Sequence, residues 1–122
     1  MQRDDGLLMP AATALKVLIV DDMQSMRMLL RGGLQQLGFR DFEDAIDGEN
    51  ALRALVANRA DLVISDYHMP VLDGIGLLRA VRAYPPITKT AFIMLTGMGD
   101  KDVVRRAVHY GVDGFLMLPV SL

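Results

Sequence analysis

The stretch LVISDYHMPVLDG, Leu62–Gly74, decides how this chain is read. Its opening residues form an apolar, β-branched run suited to a strand buried on both faces. That run ends on a carboxylate, Asp66, with a polar turn directly after it. A buried strand that stops on a charge is either reaching solvent or holding the charge at the floor of a site. What stands at the ends of the other strands separates the two.

Outward from this stretch the chain alternates between two periods. KVLIV (Lys16–Val20), LVIS (Leu62–Ser65), AFIML (Ala91–Leu95) and GFLML (Gly114–Leu118) read as strands, and DFEDA (Asp41–Ala45) as a weaker one. Between them, Met26, Leu29, Leu30, Leu34 and Leu37 recur at helical spacing and Gly38 supplies a stop. Leu52, Leu55 and Val56 mark a second helix after Asp47-Gly48. Ile75, Leu78 and Val81 mark a third, ending before Pro85-Pro86. Val104, Ala107 and Val108 mark a fourth, closed by Gly111. Strands alternating with helices through short connections predict an α/β fold, a parallel sheet with helices on both faces. In such sheets ligands bind beyond the carboxyl ends of the strands. Asp21, Asp22, Asp66 and Thr96 fall at those ends, followed by Gly97, Leu118 and Pro119. Asp66 does not stand alone.

Composition narrows the classes. With 122 residues, 52% of them hydrophobic, the chain can bury a continuous core as one domain. A net charge of −2 argues against a nucleic-acid or anionic-membrane surface. There is no cysteine, which excludes disulfides and thiolate metal sites and fits a reducing, cytoplasmic setting. No apolar stretch approaches a membrane span, and no G-x-x-x-x-G-K loop for nucleotide phosphates is present. Residues 1–14 are expected to form a mobile arm ahead of a domain over residues 15–122.

Carboxylates gathered at one rim repel, so the cluster needs a cation or a proton. Oxygen ligands favour a hard ion, and Mg²⁺ combines one or two carboxylates with waters and phosphate oxygens. An Asp carboxylate can also act as a nucleophile toward a phosphoryl group, already ionised at neutral pH. The competing reading of Asp21-Asp22 as a helix N-cap is the commoner one for such a pair alone. Three acids and a hydroxyl at matching strand ends favour a site.

VLIVDD at the first strand, ISDYHMPVLDG at the third, LTG at the fourth and FLMLP at the fifth together resemble the receiver domain of two-component response regulators, of the chemotaxis-regulator kind. The resemblance covers roughly Leu15 to Val120 and implies a flavodoxin-like doubly wound sheet of order 2-1-3-4-5. It implies that Asp66 accepts a phosphoryl group from a histidine kinase or phosphotransfer protein. It further implies that Asp22 binds Mg²⁺ directly, Asp21 mostly through water, and Asp66 and the His68 backbone carbonyl complete the protein ligands. Thr96 would contact the phosphoryl group, and Phe115 holds the family's rotating aromatic position. Met69-Pro70 and Asp73-Gly74 match the turn after the acceptor. A downstream protein would meet the fourth-helix and fifth-strand face carrying Lys101, Arg105, Arg106 and His109. Such a protein is a phosphoacceptor signalling domain rather than an enzyme.

Two departures stand out. Receivers carry a lysine before the proline that follows strand five, and here that position is Leu118. The family's fifth helix should follow Pro119, where this sequence has three residues, Val120-Ser121-Leu122. The expectation is a C-terminally short domain, either a fragment or one whose last strand packs on something else, such as a second copy. Leu118 also keeps open a degenerate receiver that binds partners without phosphate. A small phosphohydrolase ranks last, because the second acid it needs two residues beyond the nucleophile is His68 here.

Overall fold

The computed structural model describes residues 12–97 and 99–118, the side chain of Leu118 excepted. Most of the expected N-terminal arm, residues 1–11, lies outside them, and residues 12–14 form a 3-10 turn leading into the first strand. The elements follow in strict alternation: β1 Lys16–Val20, α1 Gln24–Gln36, β2 Asp41–Ala45, α2 Gly48–Ala57, β3 Leu62–Asp66, α3 Gly74–Ala83, β4 Ala91–Gly97, α4 Lys101–His109 and β5 Gly114–Leu118. All strand pairs are parallel, and the sheet order is β2-β1-β3-β4-β5. This is the flavodoxin-like arrangement expected from the resemblance.

Pleating explains why the strands read as continuous apolar runs. Along β1, Leu18 and Val20 point to one face while Val17 and Ile19 point to the other, and all are buried. The first face packs against α2, α3 and α4 through Ala51, Leu55, Ile75, Leu77, Leu78, Val81 and Ala107. The second meets α1 through Leu30, with Met26 and Leu34 beside it. α1 and β5 flank an apolar groove of about 730 Å³ lined by Met28, Leu29, Gly33, Leu37, Ile64 and Leu116. The fifth helix implied after Pro119 falls outside the described residues.

The helical stripes are narrower than their spacing suggests. Leu29 of α1, Leu37 at its C-cap, Val56 of α2 and Val108 of α4 are exposed, while Val103, which the spacing passes over, is buried. α1, α2 and α4 bury only one, three and two residues along the line facing the sheet, so flanking apolar positions stay outside, whereas α3 buries five. Two strands also run further than their apolar cores. β3 includes Asp66, paired with Leu95, and β4 continues through Thr96 to Gly97, paired with Leu118.

Candidate functional site

The chain leaves β1 to form β2 on one side, then returns to place β3 on the other, so the strand order reverses between β1 and β3. A crevice outside the carboxyl ends of those two strands is where such a sheet offers a ligand site. Asp21 and Asp22 follow β1, and Asp66 ends β3. One carboxylate oxygen from each of these acids lies within 4.8 Å of the others. The acids expected to gather do gather.

Local hydrogen bonds fix two of the three acids, Asp21 and Asp66. The Asp21 N–H donates to the Ala45 carbonyl at 3.1 Å, extending the β1–β2 ladder by one rung. Its carboxylate accepts the Met23 N–H at 2.9 Å, closing a tight turn. The α1 N-cap position is Met23, which makes no side-chain cap bond, so the Asp21-Asp22 pair is not a helix cap. Asp47 and Asp73 are the true caps, accepting from Asn50 and Gly76. Asp66 Oδ1 accepts the Tyr67 N–H at 2.8 Å.

Asp73 and Gly74 shape the turn after Asp66. Gly74 N–H donates to the Tyr67 carbonyl at 2.9 Å, and a side chain at Gly74 would collide with the Asp66 carbonyl and with Met94. Met69-Pro70 opens this loop as expected. The residue that takes the left-handed conformation, however, is Val71, at φ 72°. A β-branched residue there is strained by about 1–3 kcal/mol, and Leu72 holds it: its N–H donates to the Pro70 carbonyl across Val71 at 2.8 Å, the bond of a γ-turn, and its carbonyl accepts the Gly48 N–H at 3.1 Å.

Among the described residues, no cation forms an ion pair with the carboxylates of this cluster. Burial pushes the Asp21 carboxyl up to about 6, with the Asp66 and Asp22 charges adding to it. Burial also raises Asp66, and the neighbouring Asp22 charge raises it further. Asp22 is the exposed member. Thr96, one strand over and one residue beyond the rung that holds Asp66, is 2% exposed, and its Oγ1 has no hydrogen-bond partner among the described residues. A buried hydroxyl without a partner is costly unless something else occupies the space beside it. The donor set is all oxygen and anionic, which fits a hard divalent cation such as Mg²⁺.

The remaining candidates are placed as follows. His68 is an exposed residue at the site mouth, its ring edge-on to Tyr67 with centroids 4.5 Å apart. Phe115 in β5 is half-buried against the three-helix face. Lys101, Arg105, Arg106 and His109 are all exposed on α4. The side chain of Leu118 lies outside the described residues, while its backbone continues the ladder beside Gly97. One residue that the sequence does not single out reaches the cluster: Arg27, whose Nη1 donates to the Asp21 carbonyl at 2.7 Å.

An open parallel sheet with an acid cluster beyond the ends of β1 and β3 is the arrangement of the receiver family that the sequence resembles. The response regulator receiver domain family matches residues 17–122, and the chain belongs to that family. It is 45% identical over 114 residues to the Rhizobium etli protein named "Probable chemotaxis protein CheY", covering 93% of this chain and 88% of that one. It is 37% identical over 107 residues to the chemotaxis protein CheY of Pseudomonas aeruginosa, covering 88% of this chain and 86% of the relative. Among solved structures, chemotaxis protein CheY4 of Vibrio cholerae superposes with a TM-score of 0.79 at 34% identity, over 88% of each chain. The protein is thus a receiver domain of the two-component and chemotaxis type. No helix among the described residues is long and apolar enough to cross a membrane.

Proposed function

We propose that this protein is a signalling switch that accepts a phosphoryl group on Asp66 from a histidine kinase or phosphotransfer protein. The observation that carries the reading is the clustering of Asp21, Asp22 and Asp66 within 4.8 Å, with buried Thr96, unpartnered among the described residues, on the neighbouring strand one residue beyond the Asp66 rung. Asp22 and Asp66, with Asp21 behind them and the His68 carbonyl at the loop, would hold Mg²⁺. When bound, the ion supplies countercharge to the carboxylates and to the phosphoryl oxygens.

The protein's own groups do the rest. Tyr67 N–H holds Asp66 Oδ1, leaving Oδ2 to attack phosphorus. The O–P bond forms as the donor's P–N bond breaks, and the bonding pair leaves on the imidazole nitrogen. Thr96 Oγ1 then donates its proton in a hydrogen bond to a phosphoryl oxygen, satisfying the orphaned hydroxyl. Movement of Thr96 toward the phosphoryl group vacates space that Phe115 fills. That repacking would carry the signal to the α4–β5 face with Lys101, Arg105, Arg106 and His109, where a downstream partner binds.

Incubation with Mg²⁺ and acetyl phosphate followed by intact mass tests the reading. One phosphoryl group, a gain of about 80 Da, should appear in the parent and vanish in Asp66→Asn. A second reading, a phosphate-independent interaction module, is favoured by Leu118 in place of the family lysine. It requires that the parent show no adduct and that Asp66→Asn leave partner binding unchanged.

A further inference from the structure

We propose that Arg27 is a positioning residue for the acid cluster, its guanidinium fixing the Asp21 carbonyl and thereby the placement of Asp21 and Asp22 opposite Asp66. The inference rests on the receiver reading above. Arg27 lies in the first turn of α1, and its side chain is 13% exposed. Nη1 donates to the Asp21 carbonyl at 2.7 Å, while Nε donates to Asp44 Oδ2 at 3.2 Å. Asp44, in β2, is gripped on its other oxygen by Arg31, one helical turn further along α1, whose guanidinium stacks over Phe42. Arg27 is therefore held from behind by a carboxylate that is itself held.

The consequence falls on the Asp21–Asp22 peptide. The Asp21 N–H is tied to the Ala45 carbonyl and its side chain to the Met23 N–H. The carbonyl is the remaining handle, and Arg27 takes it with a charge-assisted bond. Rotation of this peptide would swing Asp22, the exposed acid, away from Asp66 without unfolding anything. Arg27 opposes that rotation. A carboxylate cluster binds a small divalent ion well only when its oxygens are held in place, and losing an outer support of this kind typically weakens metal binding by about 10–100-fold.

The test compares Mg²⁺ and beryllofluoride affinities in the full chain with melting temperatures taken in chelator. Arg27→Ala should weaken Mg²⁺ binding about tenfold or more. Arg31→Ala, which removes one partner of Asp44 but leaves Arg27 bonded to Asp44 and to the Asp21 carbonyl, should lower melting temperature comparably and cost clearly less Mg²⁺ affinity than Arg27→Ala. Arg27→Lys, which can reach one of the two partners at a time, should recover affinity partway. If Arg27→Ala folds poorly, Arg27→Lys and Asp44→Asn give the same ordering at nearly constant shape. Equal loss of affinity in Arg27→Ala and Arg31→Ala, or unchanged affinity in Arg27→Ala, would overturn the positioning role. A parent that binds no Mg²⁺ would instead overturn the acid-cluster reading, and this inference with it.

Discussion

The two ends of the sheet use the same residue types to opposite effect. At the amino end, Arg82 donates to the carbonyls of Gly111, Thr88 and Thr90 and pairs with Asp113 at 2.9 Å. Asp113 in turn accepts the Phe92 N–H, Asp61 accepts the Lys16 N–H, and Lys16 pairs with Glu43. These carboxylates each have a donor or a cation. At the carboxyl end three carboxylates face one another, two with raised pKa, and a buried hydroxyl goes unmatched. One rim pairs its acids with Arg82 and Lys16, whereas at the other, among the described residues, the three acids have no cation on their carboxylates and Thr96 Oγ1 has no partner. Groups left unsatisfied in an otherwise satisfied fold mark where a ligand contributes the missing interactions.

Breaking the paired rim should have the largest effect on stability. Arg82→Ala removes three main-chain hydrogen bonds and an ion pair, and leaves the Thr90 carbonyl, on a residue only 9% exposed, without its donor. A loss of about 3 kcal/mol follows, with the melting temperature lower by roughly 10 °C. Urea unfolding measures it. Mg²⁺ affinity should not change, because the network lies at the far end of the strands. A fall in Mg²⁺ affinity alongside stability would dissolve the distinction between the two rims.

The open rim responds to pH in the opposite sense from an ordinary paired acid. Folded Asp21 keeps its proton up to about 6, whereas the unfolded chain releases it near 3.8. Between those values the folded state binds more protons, so stability of the metal-free protein falls as pH rises through the window. The destabilisation is absent below the unfolded value and complete above the folded one, at about 1–3 kcal/mol. Asp21→Asn should remove most of that slope and stabilise the metal-free protein near neutrality. Saturating Mg²⁺ should flatten the parent's profile as well. Unfolding measured in chelator at about pH 4.5 and about pH 7.5 compares the two, and equal slopes in parent and variant would place the pH dependence on another group.

The same contrast governs what the sequence discloses. The strand runs, the switch-point rule and the positions of Asp21, Asp22, Asp66 and Thr96 could be read directly, because each depends on spacing along one element. The paired rim could not. Arg82 and Asp113 are 31 residues apart, and nothing local announces their pairing. Arg27 and Asp44, 17 apart on different elements, escape for the same reason. Val71 escapes for another: left-handed positions are usually signalled by Gly or Asn, and a valine held there by its neighbours gives no sign. The exposed Leu29, Leu37 and Val108 show that helical spacing locates a face but not its width.

The smallest effect should come from Thr96, and it has an unusual sign. Thr96→Val keeps the branched shape while replacing Oγ1, which is buried and unpartnered, with a methyl group. Removing one partner of a hydrogen-bonded pair destabilises, but here no partner exists to be stranded. The substitution should therefore stabilise the metal-free protein by about 0.5–1 kcal/mol, recovering part of the desolvation cost of the hydroxyl. Affinity for beryllofluoride in the presence of Mg²⁺ should fall by about tenfold, because the bound group loses a donor aimed at it. Opposite movements in stability and ligand affinity from one methyl-for-hydroxyl exchange are the signature of a residue kept for its ligand rather than for the fold. If Thr96→Val lowers the melting temperature and leaves beryllofluoride binding intact, the hydroxyl has a structural partner, and the open rim is less open than its geometry indicates.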